Sequence, residues 1–412
     1  MNRFRITFLV VIAWWGMPAV SYAESGCTLP LTFEGFRAHA FAHSPLIAEI
    51  DREFSVELAK AIDTELLTNP ELSVEQTYTR MKMRGDNDPQ TTATLSQPLK
   101  LSNFGKRDRV AGLLRKVGDV NKRGKLLEFS QRLLLQYSNL FALQETGRFL
   151  RVAEASSTEQ VAAIGQGVKE GLLSQGSESL FQGERYRLQA QREGVSATLG
   201  ALQGELGLLI GTTCTVVAQA APALPSVSAS DALVSQAKTS SISEASRVEL
   251  MLELTREQSR LADIDAVPVI APRVVYQHTN DGGDFIGGGI SIPFPVWNRN
   301  QAESVRAEAE HLVMRSKNQF LQGGGVEFIV RSLRGAAISC QKQADLYRLK
   351  VIPAYESALS SQERLYREGK GNVLDVWQTF RAVNEARVNE LTLQLEAIRS
   401  RAQLSIMVGE EV

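Results

Sequence analysis

The sequence predicts a mainly helical chain with a small β part, organised as two tandem repeats of a β-hairpin followed by a very long antiparallel helix pair. Three observations predict it. The sequence echoes itself once at an offset of roughly 197 residues, and an internal repeat of that length constrains the architecture before any local feature does. In each copy, two β-prone segments flank a cluster of turn residues. After each hairpin, apolar residues recur at three- and four-residue steps for far longer than an ordinary helix requires.

Two landmarks set the repeat. Gln97-Pro98 precedes Asn103-Phe104-Gly105-Lys106-Arg107 in the first copy, and Ile292-Pro293-Phe294-Pro295 precedes Trp297-Asn298-Arg299-Asn300-Gln301 in the second. Further on, Lys169-Glu170-Gly171 matches Arg367-Glu368-Gly369. The first repeat therefore covers residues 24–217, an Ala-, Pro- and Ser-rich linker covers 218–230, and the second repeat covers 231–412.

Each repeat opens with short amphipathic segments, at 32–44 and 46–67 and again at 231–239 and 243–265. The hairpins are expected at about 71–101, around Gly85-Asp86-Asn87-Asp88-Pro89, and at about 272–295, around Asn280-Asp281-Gly282-Gly283. Long helices are expected at about 104–170 and 177–211, then at about 299–366 and 372–408. From Lys106 to Lys169 there is no proline, and Leu126, Phe129, Leu133, Leu134, Tyr137, Leu140 and Phe141 keep the helical spacing. At 1.5 Å per residue such a run reaches roughly 95 Å. Pro353 interrupts the matching helix of the second repeat, where a kink is expected.

The N-terminus reads as an export signal. Arg3 and Arg5 precede an apolar run from Ile6 to Trp15, and Ser21-Tyr22-Ala23 forms a small-residue cleavage pattern, so residues 1–23 are expected to be removed after Ala23. Cys27 lies close enough to raise lipidation, but Glu24 stands where such signals carry an aliphatic residue. Losing Arg3 and Arg5 takes the net charge from −1 to −3, so no basic field points to nucleic acid. Cys27 and Cys214 flank the first repeat; in an oxidising compartment they either pair or remain free thiols.

No later stretch is apolar enough for a helix to span a bilayer. Any membrane contact must then be made by strands in a closed barrel, because open sheet edges are not tolerated in lipid. Four strands per chain cannot close a barrel with a lumen, so the chain must oligomerise. The strands alternate only weakly. Leu72, Val74 and Tyr78 suit a lipid face and Ser73, Glu75, Thr77 and Thr79 a wet one, while Gly287, Gly288 and Gly289 blur the second hairpin. Strand chemistry by itself leaves a membrane barrel and a soluble hairpin both open.

Three segments carry a family resemblance. Thr94-Leu95-Ser96-Gln97-Pro98 with Gly105-Lys106-Arg107, Gly289-Ile290-Ser291-Ile292-Pro293-Phe294-Pro295 with Asn298-Arg299-Asn300-Gln301, and Tyr366-x-x-Gly369-x-Gly371-x-Val373-Leu374-Asp375-Val376 resemble the TolC-like outer-membrane efflux proteins. Within that family they are most similar to the heavy-metal branch typified by CzcC. The resemblance spans essentially the whole mature chain. It implies a homotrimer whose twelve strands form one barrel in the cell outer membrane, continued by a periplasmic helical tunnel. It also implies docking onto a periplasmic adaptor (a membrane fusion protein) and an inner-membrane pump. The expected function is a passive export duct of a tripartite efflux system, with heavy-metal cations as cargo. A drug-efflux or type I secretion duct of the same fold is the rival reading. A periplasmic coiled-coil adaptor or scaffold is the rival from another class, although such adaptors usually carry a single helical hairpin.

The candidate site residues fall at the two ends of the long helices. Pro98, Pro293 and Pro295 sit where strand must become helix, since proline removes a ladder donor and biases its predecessor away from helix; in the family this is the barrel-to-helix swivel. Gly171, Gly176, Arg367, Gly369, Lys370, Gly371 and Asn372 lie at the helix-to-helix turns, which the resemblance makes the adaptor-docking tip. Asn372 with Asp375 caps the return helix. Glu178 and Asp375 occupy equivalent places in the repeats and are candidate tunnel-mouth acids, although acids in a first turn also simply favour the helix dipole.

His39 and His43 stand four apart with no third ligand in view. No cofactor and no resident metal site are expected. A phosphate-cradling glycine loop, a nucleophile elbow and a Cys-His arrangement are all missing from the sequence, so no enzymatic activity is expected.

Overall fold

A computed structural model of the chain describes residues 27–80, 87–100, 105–223, 226–279, 282–293 and 297–410. The leader with its cleavage point after Ala23, the Gly85-Asp86 part of the first turn, and Pro295 lie outside the described residues.

The first half runs β1 (Thr28–Leu31), α1 (Phe33–His43), α2 (Pro45–Glu65), β2 (Glu71–Arg80), β3 (Asn87–Ser96), α3 (Lys106–Lys169), α4 (Gln175–Ile210) and β4 (Thr215–Ala218). The second half runs α5 (Ser230–Thr239), α6 (Glu244–Ile264), β5 (Ala271–Thr279), β6 (Asp284–Ser291), α7 (Gln301–Phe320), α8 (Val326–Leu346), α9 (Ile352–Arg367) and α10 (Val373–Val408). The halves match in order, apart from the β1–β4 pair and the division of the outgoing helix of the second half into α7, α8 and α9. The local chemistry that ends each element repeats as well. Positive-φ residues precede α3 and α7 (Gly105 and Asn300), follow α3 and α9 (Gly171 and Gly369), and follow α4 and α10 (Gly211 and Gly409). Glycine is favoured there because it has no Cβ to clash in the left-handed region, and asparagine is one of the few other residues that visits it.

The outgoing helices differ. α3 is a single helix of 64 residues, about 96 Å at the standard rise. Its counterpart is broken twice by π-helical turns, Leu321–Gly325 between α7 and α8 and Tyr347–Val351 between α8 and α9. The expectation of one continuous helix is corrected at Gly323 and Gly324; near Pro353 the chain carries a π turn and stays helical. Gly323 and Gly324 leave helical geometry, with φ +104° at Gly324, so the glycine run sets the first break. Pro353 lies in the first turn of α9, and the π turn before it absorbs the lost helical bond. The second-repeat run carries more residues than α3 over the same span, and a π turn accommodates an extra residue without ending the helix.

Four strands form one antiparallel sheet in the order β2-β3-β5-β6. Cross-strand partners share a face, so the register sorts the side chains. One face carries the rows Leu72-Leu95-Val274-Gly288 and Val74-Ala93-Tyr276-Ile286, with Ile290 beside Pro272. The other carries Glu71-Ser96-Arg273-Gly289 and Glu75-Thr92-Gln277-Phe285. Apart from Phe285, Val275 and Ala271 the second face is polar or glycine. The apolar face is bare, with Ile286 81% exposed.

The helices pack side by side, α4 on α3, α3 on α10, and α10 on α8 and α9. One edge of this layer is α4, which exposes Leu180, Tyr186 and Leu208; the other is α7 to α9, which expose Val305, Phe320, Phe328, Leu349 and Tyr355. Two buried clusters near mid-length anchor the layer. Phe36, Leu133, Tyr137, Leu206 and Ile210 tie α1 to α3 and α4, while Leu233, Val248, Val330, Leu404 and Val408 tie α5 and α6 to α8 and α10.

Candidate conduit, swivel and helical tip

At the strand-to-helix junction, Pro98 lies two residues past the end of β3 and Pro293 two residues past the end of β6. The chain stays paired past Pro98, because Leu99 exchanges backbone hydrogen bonds with Ile270. Gln97 donates through Nε2 to the Thr68 carbonyl at 2.7 Å and clasps the start of the hairpin. In the second repeat, Asn300 donates through Nδ2 to the Ala262 carbonyl at 3.0 Å, fastening the start of α7 to α6. Lys100 reaches Asp265 at 3.3 Å and Arg107 lies 4.0 Å from the same carboxylate. Trp297 is 87% exposed beside Arg299.

At the opposite end, the two turns share one construction with exchanged side-chain sizes. Leu172 and Leu173 both donate backbone N–H to the Gly167 carbonyl, and Lys370 and Gly371 do the same to Leu365. A Cβ on Gly167 would stand 2.9 Å from the Leu173 side chain, and a Cβ on Gly371 would stand 2.8 Å from the Tyr366 nitrogen. The first turn thus pairs a small residue with a large one, and the second reverses them. Each keeps one glycine at the close approach.

The structure corrects two local expectations here. Gly176 lies inside α4, and the cap is Ser174, whose Oγ accepts from the Ser177 N–H; Asn372 is its counterpart, accepting from the Leu374 N–H at 3.0 Å. These caps also put Glu178 and Asp375 out of step. Glu178 is the fourth residue of α4 and Asp375 the third of α10, so they point about 100° apart on their helices. Glu178 accepts from Gln182 at 3.0 Å and lies against Gly165 of α3, whereas Asp375 is exposed. Beneath the turns, Ile164, Phe181, Val373, Tyr366 and Trp377 form one cluster that joins all four long helices. Leu172, Arg367 and Lys370 remain exposed at the surface of the tip.

Near mid-length, Cys27 and Cys214 are joined by a disulfide with the Cα atoms 4.9 Å apart, and β1 pairs parallel with β4 immediately beyond it. Tyr137 places its hydroxyl within 3.0 Å of the Leu31 carbonyl and 2.9 Å of the Ala220 carbonyl, holding the end of β1 and the segment after β4 onto α3. His39 and His43 stack at 4.4 Å, and no group of three or more candidate ligands stands together among the described residues. Cys340 is a free, half-buried thiol on α8.

A cavity of about 800 Å³ opens between α3, α8, α10 and the segment after β4, lined by Phe141, Glu145, Arg348, Arg387, Glu390 and Arg401 among others. Of these residues the sequence marked only Phe141, as part of the apolar spacing of α3, and none of the charged ones. Burial pushes the Glu390 carboxyl above its ordinary value, Asp345 adds to the rise, and Arg348 and Arg387 oppose it. A carboxyl whose folded value is raised supports the fold fully below its unfolded pKa, and that support is lost as pH rises through the folded value. Glu390→Gln is therefore expected to raise the thermal midpoint at neutral pH. The gap over the unmodified protein should close on acidification into the carboxylate range; a gap independent of pH would contradict this reading.

No protein-family model matches the chain. Its architecture is nonetheless that of the TolC-like outer-membrane channels. It superposes on the outer-membrane protein VceC of Vibrio cholerae with a TM-score of 0.71 at 14% identity, covering 92% of this chain and 96% of VceC. It superposes on CusC, described in connection with transmembrane channel formation, with a TM-score of 0.71 at 14% identity, covering 96% and 98%. In sequence it is similar to the cobalt-zinc-cadmium resistance protein CzcC of Cupriavidus metallidurans, with 23% identity over 404 residues, 92% of this chain and 90% of CzcC.

Proposed function

We propose that this chain is a TolC-family transport protein without enzymatic activity, one subunit of an outer-membrane export duct. The observation that carries the reading is the coupling of two open edges. A four-stranded sheet with one bare apolar face ends at unpaired β2 and β6, and the helix layer beneath it ends at apolar α4 and α7 to α9. Unlike edges join head to tail, and such contacts form a ring when the rotation between copies closes. Three copies supply twelve strands, enough for a barrel with an aqueous lumen. A 10-residue β2 has the length of a tilted membrane strand.

In this reading the long helices cross the periplasm, and Gly171, Gly369, Lys370, Gly371 and Arg367 present the tip to a periplasmic adaptor coupled to an inner-membrane pump. Asp375 is the proposed tunnel-mouth acid, a reading supported by its exposure in the first turn of α10. Pro98 and Pro293 mark the swivel. Heavy-metal cations are the proposed cargo, supported by the similarity to CzcC. Deleting the gene and measuring intracellular cobalt, zinc and cadmium after a metal challenge tests this: accumulation should rise and return to normal on complementation. Unchanged metal levels with a loss of tolerance to organic toxicants would move the cargo to the drug-efflux alternative.

A further inference from the structure

The internal repeat also fixes how two copies meet. Resting on the ring of copies proposed above, we infer that β6 of one copy pairs with β2 of the next in a single register, latched on the polar face by Arg273 and Glu75 of the partner subunit. Ser96 ends β3 two residues before Pro98, and Ser291 ends β6 two residues before Pro293, so these two positions correspond. Ser96 pairs with Glu71 and Ser291 with Ala271, which makes Glu71 correspond to Ala271 and Ser73 to Arg273.

Inside the chain, β3 meets β5 with Ser96 opposite Arg273 and Leu95 opposite Val274. The image of that junction sets Ser291 opposite Ser73 of the partner subunit, Ile290 opposite Val74 of the partner subunit, Gly289 opposite Glu75 of the partner subunit and Ile286 opposite Tyr78 of the partner subunit. The mapped pairs keep the two faces together: Ile290, Ile286, Val74 and Tyr78 all belong to the apolar face, while Gly289 and Glu75 belong to the polar one. A slip of one residue would turn apolar side chains toward the polar face.

The polar row supplies a second observation. A Cβ on Gly289 would stand 3.1 Å from Arg273 Nε and 3.6 Å from its Cγ, so the Arg273 side chain lies across the glycine toward the open edge of β6. Among the described residues Arg273 has no ion pair, and neither does Glu75 on the opposite edge. With strands about 4.8 Å apart, two steps separate Arg273 from Glu75 of the partner subunit, a span that an extended arginine and a glutamate cover together. Gly289 keeps the path clear, because any side chain there would occupy the position over which Arg273 lies. A ring of three copies then carries three such pairs on its inner wall, one at each seam.

Disulfide crosslinking in a Cys340→Ser background tests the register. Val74→Cys with Ile290→Cys should give an oxidant-dependent ladder ending at three chains, and Leu72→Cys with Ile290→Cys, slipped by two residues, should not. Preferential crosslinking of the slipped pair in protein that still forms trimers would overturn the register and leave the duct intact. Absence of any oligomer with an amine crosslinker would remove the duct reading itself. For the latch, Arg273→Glu should lower the fraction of trimer resisting detergent several-fold, and adding Glu75→Arg should restore it. A double exchange no better than the single one would show that the two residues do not meet.

Discussion

Gly211→Ala is expected to destabilise the protein by about 2–5 kcal/mol, combining the left-handed backbone penalty with forced repacking. Gly211 has φ +70°, and a Cβ there would stand 2.1 Å from the His43 carbonyl oxygen. No side chain can yield at such a contact; the backbone at the end of α1 has to move, and it carries the Phe36 cluster with it. Gly409 repeats the arrangement in the second half, with a Cβ 2.4 Å from the Ser243 nitrogen. Gly171 supplies the control. It has a similar φ of +74° but nothing within 4 Å of an added Cβ, so Gly171→Ala should cost only about 1–2 kcal/mol, the conformational part alone. Thermal midpoints of the purified proteins should rank the unmodified chain first, Gly171→Ala next and Gly211→Ala last. Equal losses at the two sites would show that the contact with α1 is not the cause.

Removing the Cys27–Cys214 link should have a comparable effect. The bridge closes a loop with a sequence separation of 187 residues, and chain-entropy reasoning gives roughly 5 kcal/mol for a loop of that length. The bond holds β1 against β4, and through Tyr137 the end of β1 and the segment after β4 clamp the middle of α3. Cys27→Ser with Cys214→Ser should therefore lower the denaturant midpoint and release the N-terminal strand to proteolysis first. Intact mass before and after reduction and alkylation shows whether the bond is present. Two thiols free in the exported protein, besides Cys340, would contradict it.

The strength of each sequence signal explains what was legible. The long helices show plainly because their apolar spacing persists over dozens of residues and their ends carry glycine and polar caps. The broken course of α7 to α9 was less visible. Gly323-Gly324-Gly325 was a sufficient signal for the first break, but the unbroken α3 of the first repeat suggested a matching helix in the second. β1 and β4 are four residues each, too short for alternation to register, and their pairing depends on a contact between residues 187 apart in sequence. The sheet shows the converse case. Each strand alternates poorly by itself, yet the pairing of four strands gathers Leu72, Val74, Leu95, Val274, Tyr276 and Ile286 onto one face. A sequence read one strand at a time does not contain that sum. At the tip, Gly176 looked like a breaker because it is a glycine, but helix α4 begins at Gln175, just after the capping hydroxyl of Ser174.

The central claim is that three copies of this chain close one barrel in the outer membrane. Separation of inner and outer membranes, followed by amine crosslinking and electrophoresis with and without heating, tests it most directly. The account predicts a heat-modifiable species of three chains in the outer-membrane fraction; a monomer released with the soluble periplasmic proteins would contradict it.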